Sequence, residues 1–195
     1  MTHPPYDAVV LAGGASRRLG GRDTTALLVG GTTLLDRVLA AVPDAVRTVV
    51  VGPVRPVTGT VTAWTRESPP GGGPVAALAA GLLETSAATV VVLAADLPFV
   101  SVETVRSLLP AAGDGADGAL LVDADGRDQL LVSAWRADSL RTAVHRLPTP
   151  AGASLHRLVA DLDVRRVALA PAGGAPPPWL DCDTEAELRR ARELA

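Results

Sequence analysis

Short, unbroken apolar runs recur along this chain, and the stretches between them mix apolar and polar residues with helical spacing. Such runs are typical of strands that are buried on both faces of a parallel sheet. The turn signal Asp125-Gly126 separates two of the later runs. We predict strands over residues 8–12, 48–51, 61–64, 89–94, 118–122, 129–135 and 164–169.

Helix signals fill the intervals between these runs. Thr33 and Ser101 are candidate N-caps, and Pro74 suits the first turn of an alanine-rich helix. Thr184 and Glu187 form an S/T-x-x-E capping box for a last helix. The predicted helices span residues 34–42, 75–84, 101–109, 137–147, 154–162 and 184–194.

The alternation of strands and helices predicts an α/β sandwich with a largely parallel sheet. The length fits one domain over residues 1–195, and no internal repeat is visible. In such sheets, ligands bind beyond the carboxyl ends of the strands. Gly13 and Asp96 both follow a predicted strand, so we expect them to share one cleft.

Composition narrows the possible chemistry. All 18 basic residues are arginine, which excludes mechanisms that need a lysine amine, such as Schiff-base chemistry or a P-loop phosphate site. The formal charge of -3 argues against a broad nucleic-acid-binding face. No apolar stretch is long enough for a membrane span, and residues 1–7 lack a signal-peptide pattern. The single Cys182 favours a reducing compartment, so we expect a cytoplasmic protein.

The first predicted strand leads into a glycine-rich segment with two adjacent arginines, Leu-Ala-Gly-Gly-Ala-Ser-Arg-Arg-Leu-Gly-Gly over residues 11–21. Glycines let backbone N–H groups approach a phosphate, and arginines add bidentate hydrogen bonds. The spacing fits neither the dinucleotide fingerprint nor the P-loop. The residues alone leave two interpretations open, a phosphate-binding loop and a surface turn with solvated arginines.

This opening resembles that of the MobA-like nucleotidyltransferases, and most closely that of the molybdenum cofactor guanylyltransferases. Further family segments occur in the family's order at residues 64–67, 72–74, 93–99 and 180–184, so the resemblance covers nearly the whole chain. It implies a three-layer α/β/α sandwich with a Rossmann-like, mostly parallel sheet of the nucleotide-diphospho-sugar transferase type. It also implies that the glycine-rich segment wraps a nucleoside triphosphate.

The resemblance assigns nucleotide-binding roles to individual residues. It implies that Arg18 contacts the phosphates of the nucleotide. Arg55 follows the second predicted strand, where the family can contact the base; a solvated arginine is the alternative. Glu67, or Ser68 with an offset of one residue, matches an acidic position near the nucleotide. The residues of the glycine-rich segment that would approach the nucleotide are Leu11, Ala12, Gly13 and Gly14.

The chain departs from the family at Thr24, where the family has a lysine after the aspartate that corresponds to Asp23. That lysine neutralises phosphate charge, and losing one such donor typically costs about 10²–10³ in rate. We expect Arg17 or Arg22 to supply the missing charge, with Arg18 and Arg22 acting in catalysis and Thr24 beside the nucleotide. The alternative is a degenerate paralogue that binds nucleotide with weak catalysis or none.

Asp96 ends a predicted strand, because Pro98 prevents the strand from continuing. A carboxylate there suits Mg²⁺, which prefers one or two carboxylates plus substrate phosphates. From the residues alone, a turn aspartate is the alternative. The resemblance makes Asp96 the main catalytic and metal-binding candidate. Asp181 and Asp183 match a family pair, often asparagines, that faces the acceptor.

The activity that the resemblance implies is transfer of GMP from GTP to molybdopterin, with release of pyrophosphate and Mg²⁺ as cofactor. A cytidylyltransferase, or another nucleotidyltransferase of this fold with a different acceptor, is the enzymatic alternative. GTP and molybdopterin are the implied substrates. Transient contact with proteins of molybdenum cofactor synthesis is the implied protein partnership.

Overall fold

Nine strands and six α-helices are present in the computed structural model, which describes residues 3–13, 23–113, 115–169 and 174–195. The strands are β1 Tyr6–Leu11, β2 Leu28–Val29, β3 Thr32–Thr33, β4 Thr48–Val51, β5 Ala63–Thr65, β6 Thr89–Ala94, β7 Gly118–Val122, β8 Asp128–Arg136 and β9 Val164–Ala168. The helices are α1 Leu34–Ala40, α2 Pro74–Leu82, α3 Val102–Gly113, α4 Ala137–Arg146, α5 Leu155–Val159 and α6 Glu185–Leu194.

Seven strands form one sheet in the order β5-β4-β1-β6-β8-β7-β9. The pairs of β1 with β4 and β6, of β4 with β5, and of β7 with β9 are parallel. Strand β8 runs antiparallel to both of its neighbours, β6 and β7. The prediction of a largely parallel sheet is therefore confirmed, and the carboxyl ends of β4, β1 and β6 lie side by side.

Helices cover both faces of the sheet. Side chains alternate between the faces of a strand, so Ala8 and Val10 of β1 pack in the core formed with α1 and α3. Val9 and Leu11 pack on the opposite side, in the core formed with α2, α4 and α5. The result is a three-layer α/β/α sandwich, as the resemblance implied.

A third, smaller core lies outside the main sheet. It joins the β2–β3 hairpin to α6 through Val29, Leu34, Cys182 and Leu188, which are all buried. This hairpin was not predicted, because each of its strands has only two residues. The glycine pair at 30–31 was the available signal, since both glycines have positive φ, as tight hairpin turns require.

The predicted elements agree closely with the observed ones, with one informative exception in α3. The helix was expected to end at Leu109, but it continues through Pro110 to Gly113. Leu109 and Ala112 are both buried against the sheet, so tertiary packing outweighs the hydrogen bond that the proline removes. Across the described residues, every helix is too short or too polar to span a membrane.

Candidate active site

A cleft of about 660 Å³ opens at the carboxyl ends of β1, β4 and β6, beside the turn that leads into α2. Its volume falls within the range of about 300–1,000 Å³ that is usual for small-molecule sites. Gly13 and Asp96 share this cleft, as their positions at strand ends predicted. The residues with predicted site roles that line it are Leu11, Gly13, Arg55, Glu67 and Asp96.

The floor of the cleft is backbone from the ends of β1 and β4. The Ala12 N–H donates to the Val51 carbonyl oxygen at 2.8 Å, which continues the strand pairing past the end of β1. A Cβ on Gly52 would lie 2.6 Å from the Ala12 carbonyl oxygen, closer than packed atoms come. Glycine at position 52 thus allows the backbone at Ala12 and Gly13 to lie against β4 without an intervening side chain.

Arg55 lies in the loop after β4, and its side chain is only 16% exposed. Its Nε forms an ion pair with Asp23, and its Nη1 donates to the carbonyl oxygens of Pro53 at 2.8 Å and Ala12 at 3.5 Å. Asp23 also accepts hydrogen bonds from the backbone N–H and the hydroxyl of Thr25, at 3.2 and 2.7 Å. The interpretation of Arg55 as a solvated arginine is therefore wrong.

The electrostatic environment of Asp23 keeps this pair charged. Burial alone would raise the pKa of Asp23, but hydrogen bonds from Arg55 and Thr25 hold that pKa below its ordinary value. Asp23 is therefore an anion at neutral pH, and it fixes one edge of the Arg55 guanidinium.

Glu67 faces the cleft from the segment between β5 and α2. Its Oε1 accepts a hydrogen bond from the Gly71 N–H at 3.0 Å, which closes the glycine-rich turn before the helix. Its Oε2 lies 4.0 Å from the position that a Cβ on Gly13 would take, so this oxygen faces the end of β1. Of the two candidates for the family's acidic position, Glu67 lines the cleft and Ser68 does not.

Three carboxylates meet at the end of β6. Burial raises the pKa of Asp96 to about 7, with further contributions from the negative charges of Asp183 and Asp181 and from a hydrogen bond with Asp183. Asp96 remains partly exposed to the cleft. The structure therefore brings the predicted acceptor-binding pair directly to the predicted metal ligand.

The position of the two aspartates follows from the burial of the residue between them. Cys182 is fully buried in the small core against α6, and burial raises the pKa of its thiol to about 12. Asp181 is exposed and Asp183 is half-buried, so the two residues that flank Cys182 lie outside this core. The capping box of Thr184 and Glu187, with its hydrogen bonds of 2.8 to 3.2 Å, then starts α6.

The described part of the chain has no cluster of three or more His, Cys, Asp or Glu side chains arranged to hold a metal on protein ligands alone. The donors nevertheless fit Mg²⁺ that is shared with a phosphate ligand, because Asp96 offers a carboxylate at the cleft. Burial is the main cause of its raised pKa, and the negative charges of Asp183 and Asp181, which raise it further, are what a cation would relieve. Mg²⁺ binding stays a prediction.

Residues 8–167 match the family model of the MobA-like NTP transferase domain. The chain belongs to the MobA-like NTP transferase family. It is therefore a nucleotidyltransferase, and the resemblance drawn from its opening motif is confirmed.

Individual relatives agree with this membership. The molybdenum cofactor guanylyltransferase of Acidiphilium cryptum is 31% identical over 195 residues, which cover 94% of this chain and 92% of that protein. The structure of molybdopterin-guanine dinucleotide biosynthesis protein A from Archaeoglobus fulgidus superposes with a TM-score of 0.77 at 21% identity, over 96% of this chain and 97% of the other.

The same fold also serves a different named activity. The 2-C-methyl-D-erythritol 4-phosphate cytidylyltransferase of Thermus thermophilus superposes with a TM-score of 0.73 at 21% identity, over 97% of this chain and 98% of the other. Both structural likenesses show that the fold is the one implied by the resemblance. At this identity neither assigns the base or the acceptor.

Some residues that the family resemblance singled out cannot be placed. Gly14, Arg17, Arg18 and Arg22 lie outside the described residues, so their nucleotide-binding and catalytic roles stay predictions. Thr24 starts a short 3₁₀ turn that is N-capped by Asp23, and it is only 7% exposed. It does not line the cleft, and its predicted contact with the nucleotide is likewise still a prediction.

Several cleft residues were missed by the sequence analysis, among them Gly52, Arg66 and Leu131. Gly52 directly follows β4, so its position at the same sheet edge as Gly13 was a usable signal. Arg66 lies in the family segment at residues 64–67, so the family resemblance was a usable signal for it. Leu131 gave no signal, because nothing in the chain order predicts that β8 inserts antiparallel beside β6.

Proposed function

We propose that this protein transfers GMP from GTP to molybdopterin and releases pyrophosphate. The observation that carries the proposal is the arrangement of the cleft. Close-packed backbone at Gly13 and Gly52 forms its floor, with Glu67 on one wall and Asp96 on another. Glu67 is the candidate base contact of this cleft, and Asp96 is the candidate metal ligand.

Glu67 supports guanine as the base. An ionised carboxylate only accepts hydrogen bonds, and one oxygen of Glu67 is already used to hold Gly71. The Watson–Crick edge of guanine presents two adjacent donors, N1–H and the N2 amine, whereas that of cytosine presents one amine beside acceptors. The Oε2 that faces Gly13 can accept from both adjacent donors of guanine but from only one donor of cytosine, which supports guanine as the base.

The chemistry is an in-line displacement at the α-phosphorus. An oxygen of the terminal phosphate of molybdopterin attacks this atom and forms a new P–O bond, while the bond from the α-phosphorus to the bridging oxygen breaks. The electron pair of that bond leaves with pyrophosphate. Mg²⁺ bound to Asp96 would supply charge neutralisation for the phosphates. Positioning and electrostatics account for such catalysis, so the protein needs no nucleophile of its own.

Two observations support molybdopterin as the acceptor. The Acidiphilium cryptum relative is named a molybdenum cofactor guanylyltransferase. Asp181 and Asp183 lie beside Asp96, where an acceptor must approach to attack the α-phosphorus. Because these aspartates are negatively charged, they suit an acceptor that arrives with its phosphate charge compensated by a cation or presents hydrogen-bond donors to them.

Pyrophosphate release tests the proposal. The purified protein is incubated with Mg²⁺, molybdopterin and GTP, CTP or ATP, and Asp96→Asn is run in parallel. We expect release with GTP that requires molybdopterin, and a loss of about a hundredfold or more in Asp96→Asn. Release with CTP in preference to GTP would replace the guanylyl assignment with a cytidylyl one. Nucleotide binding without release would identify a catalytically degenerate paralogue.

A further inference from the structure

The described walls of the cleft carry little positive charge for a site that binds a triphosphate. Two arginines, Arg55 and Arg66, face three carboxylates, Asp23, Glu67 and Asp96. The chain has no lysine that could add a compact charge. Among the described residues, Arg55 and Arg66 are therefore the candidates for binding the phosphates.

The two arginines differ in exposure and in the number of hydrogen bonds that hold their side chains in position. Arg66 is exposed, and its guanidinium has no hydrogen-bond or ion-pair partner within the described ranges. Arg55 is 16% exposed and is fixed at Nε by Asp23 and at Nη1 by two carbonyl oxygens. An arginine that is already ordered loses less side-chain entropy when it binds a ligand.

The hydrogen bonds of Arg55 leave one edge of its guanidinium available. Among the described residues, Nη2 has no acceptor, whereas Nε and Nη1 are both occupied. One of the occupying groups is the carbonyl of Ala12, so the guanidinium lies directly beside the backbone at the end of β1. The next residue, Gly13, lines the cleft and has no side chain to separate a ligand from this backbone.

We propose that Arg55 binds the triphosphate of the nucleotide through Nη2, and that Asp23 holds the guanidinium in position for this contact. The inference rests on the proposed function, because it assumes a nucleoside triphosphate in this cleft. It gives Arg55 a different role from the base contact that the family resemblance suggested. Glu67, which also lines the cleft, would provide the base contact instead.

The position of Asp23 explains how this arrangement relates to Thr24. Asp23 directly precedes Thr24 in the chain. Its ion pair therefore holds the Arg55 cation beside the residue next to Thr24. A planar guanidinium also makes bidentate hydrogen bonds to phosphate that an ammonium does not. A cation from the neighbouring loop thus supplies charge at the point where the chain has threonine in place of the family's lysine.

Binding measurements with nucleotides of decreasing phosphate content test the proposal. Calorimetry gives the affinities of wild type and Arg55→Gln for Mg²⁺·GTP, GMP and guanosine. We expect Arg55→Gln to weaken GTP binding about ten- to a hundredfold, as loss of a charge-assisted hydrogen bond does, and to leave guanosine binding unchanged. An equal loss for all three ligands would overturn the proposal and assign Arg55 to the base.

A matched control comes from a second arginine–aspartate pair. Arg106 bonds Asp44 at 2.7 Å, and Asp44 lies near His3, at the amino ends of β1 and β4 rather than at the cleft. Arg106→Gln removes the same charge from the protein and is expected to bind GTP as the wild type does. A comparable loss of GTP affinity in this variant would show that overall charge, not a contact, is responsible, and would overturn the proposal.

A double variant that leaves the net charge unchanged distinguishes a direct contact between Arg55 and phosphate from a general effect of local charge. Asp23→Asn combined with Arg55→Gln removes both members of the pair and leaves the net charge of the cleft unchanged. We expect its GTP affinity to stay as weak as that of Arg55→Gln. Recovery to wild-type affinity would mean that Arg55 only neutralises Asp23, which contradicts the proposal. Unfolding curves show whether each variant is folded before it is assayed.

The two proposals fail in different ways. If wild type binds GTP no more tightly than guanosine, the triphosphate site itself is absent and the proposed function fails. If wild type prefers GTP strongly and Arg55→Gln keeps the same preference, the proposed function stands and the role of Arg55 is wrong.

Discussion

The position of Asp96 depends on residues near it in sequence, whereas its pKa depends on residues that are distant in sequence. Its place at the end of β6 could be predicted from the apolar run and Pro98, because both are local signals. Its pKa of about 7 could not, since that value comes from burial and from Asp183 and Asp181, which are distant in sequence. The ion pair between Arg55 and Asp23 could not be predicted either, because it joins two loops that come together only in the folded chain.

Glu67 carries the prediction about base preference. Replacing Glu67 with glutamine keeps an acceptor for the Gly71 N–H but removes the charge and one of the two acceptor oxygens. We expect the ratio of GTP to CTP affinity to fall about ten- to a hundredfold, because a good pairing to a base edge is worth about 1–3 kcal/mol. Calorimetric titration with each nucleotide measures this ratio.

Glu84→Gln is the control for this experiment, since Glu84 does not line the cleft and lies farther along the neighbouring groove beside α2, which Glu67 also borders. An unchanged GTP to CTP ratio in Glu67→Gln would remove Glu67 from base recognition.

At the scale of elements, the strands and helices were predictable wherever a local pattern defined them. The N-cap at Thr33, the proline in the first turn of α2 and the capping box of α6 are all present. The β2–β3 hairpin was missed, because two-residue strands produce no periodic pattern. The extension of α3 was missed for the opposite reason, since the local signal at Pro110 is overridden by packing.

Asp36 of α1 anchors the loop that follows β4 and carries Arg55. It accepts hydrogen bonds from the Thr58 backbone N–H at 2.7 Å and hydroxyl at 2.9 Å, and from the Thr33 hydroxyl at 2.7 Å. Burial alone would raise the pKa of Asp36, but these bonds hold it below its ordinary value of 3.8. The ionised carboxylate therefore stabilises the folded state.

We expect Asp36→Ala to lower the free energy of unfolding by about 1–3 kcal/mol at pH 7, because three hydrogen bonds to a buried, charged carboxylate are lost. A lowered pKa stabilises the fold above the unfolded-state pKa, and this contribution is lost as pH falls through the folded-state value. The difference between wild type and variant should therefore shrink below about pH 4. Urea unfolding at pH 7 and pH 3 measures this difference in the free energy of unfolding.

The control for this pair of measurements is Asp138→Ala, which removes an exposed carboxylate from an ion pair on α4. Its effect should be small at both pH values. A difference for Asp36→Ala that is the same at pH 7 and pH 3 would contradict the role given to its charge.

Gly81 fixes the distance between α2 and the sheet. A Cβ there would lie 2.6 Å from Val9 Cγ1 and 2.9 Å from Val51 Cγ2, and both are stiff β-branched side chains. We expect Gly81→Ala to destabilise the protein by about 1–3 kcal/mol through overpacking, despite the better helix propensity of alanine. Thermal or urea unfolding gives the change.

Gly113, which ends α3 and has no atom within 4 Å of a would-be Cβ, provides the comparison. Gly113→Ala should be neutral or stabilising by up to about 1 kcal/mol. Equal effects of the two substitutions would show that α2 does not pack as closely on β1 and β4 as the structure has it.

At the scale of the molecule, the fold class could be predicted and the strand order could not. Alternating elements indicate layers, but nothing local indicates that β8 lies between β6 and β7 and runs against them. A second long-range arrangement, the packing of Cys182 against the β2–β3 hairpin and α6, brings Asp181 and Asp183 close enough to Asp96 to raise its pKa. The assignment of residues 1–195 to a single domain stays a prediction.

The central claim is that a guanine nucleotide lies across the cleft with its base at Glu67 and its phosphates between Arg55 and Asp96. A crystal structure with Mg²⁺ and an α,β-methylene analogue of GTP, which cannot release pyrophosphate, tests this claim most directly. We predict guanine within hydrogen-bond distance of the Glu67 Oε2, phosphate oxygens on Arg55 Nη2, and the metal on Asp96. A nucleotide bound in the groove between α2 and α4, or bound in the cleft with its base at Asp96, would contradict it.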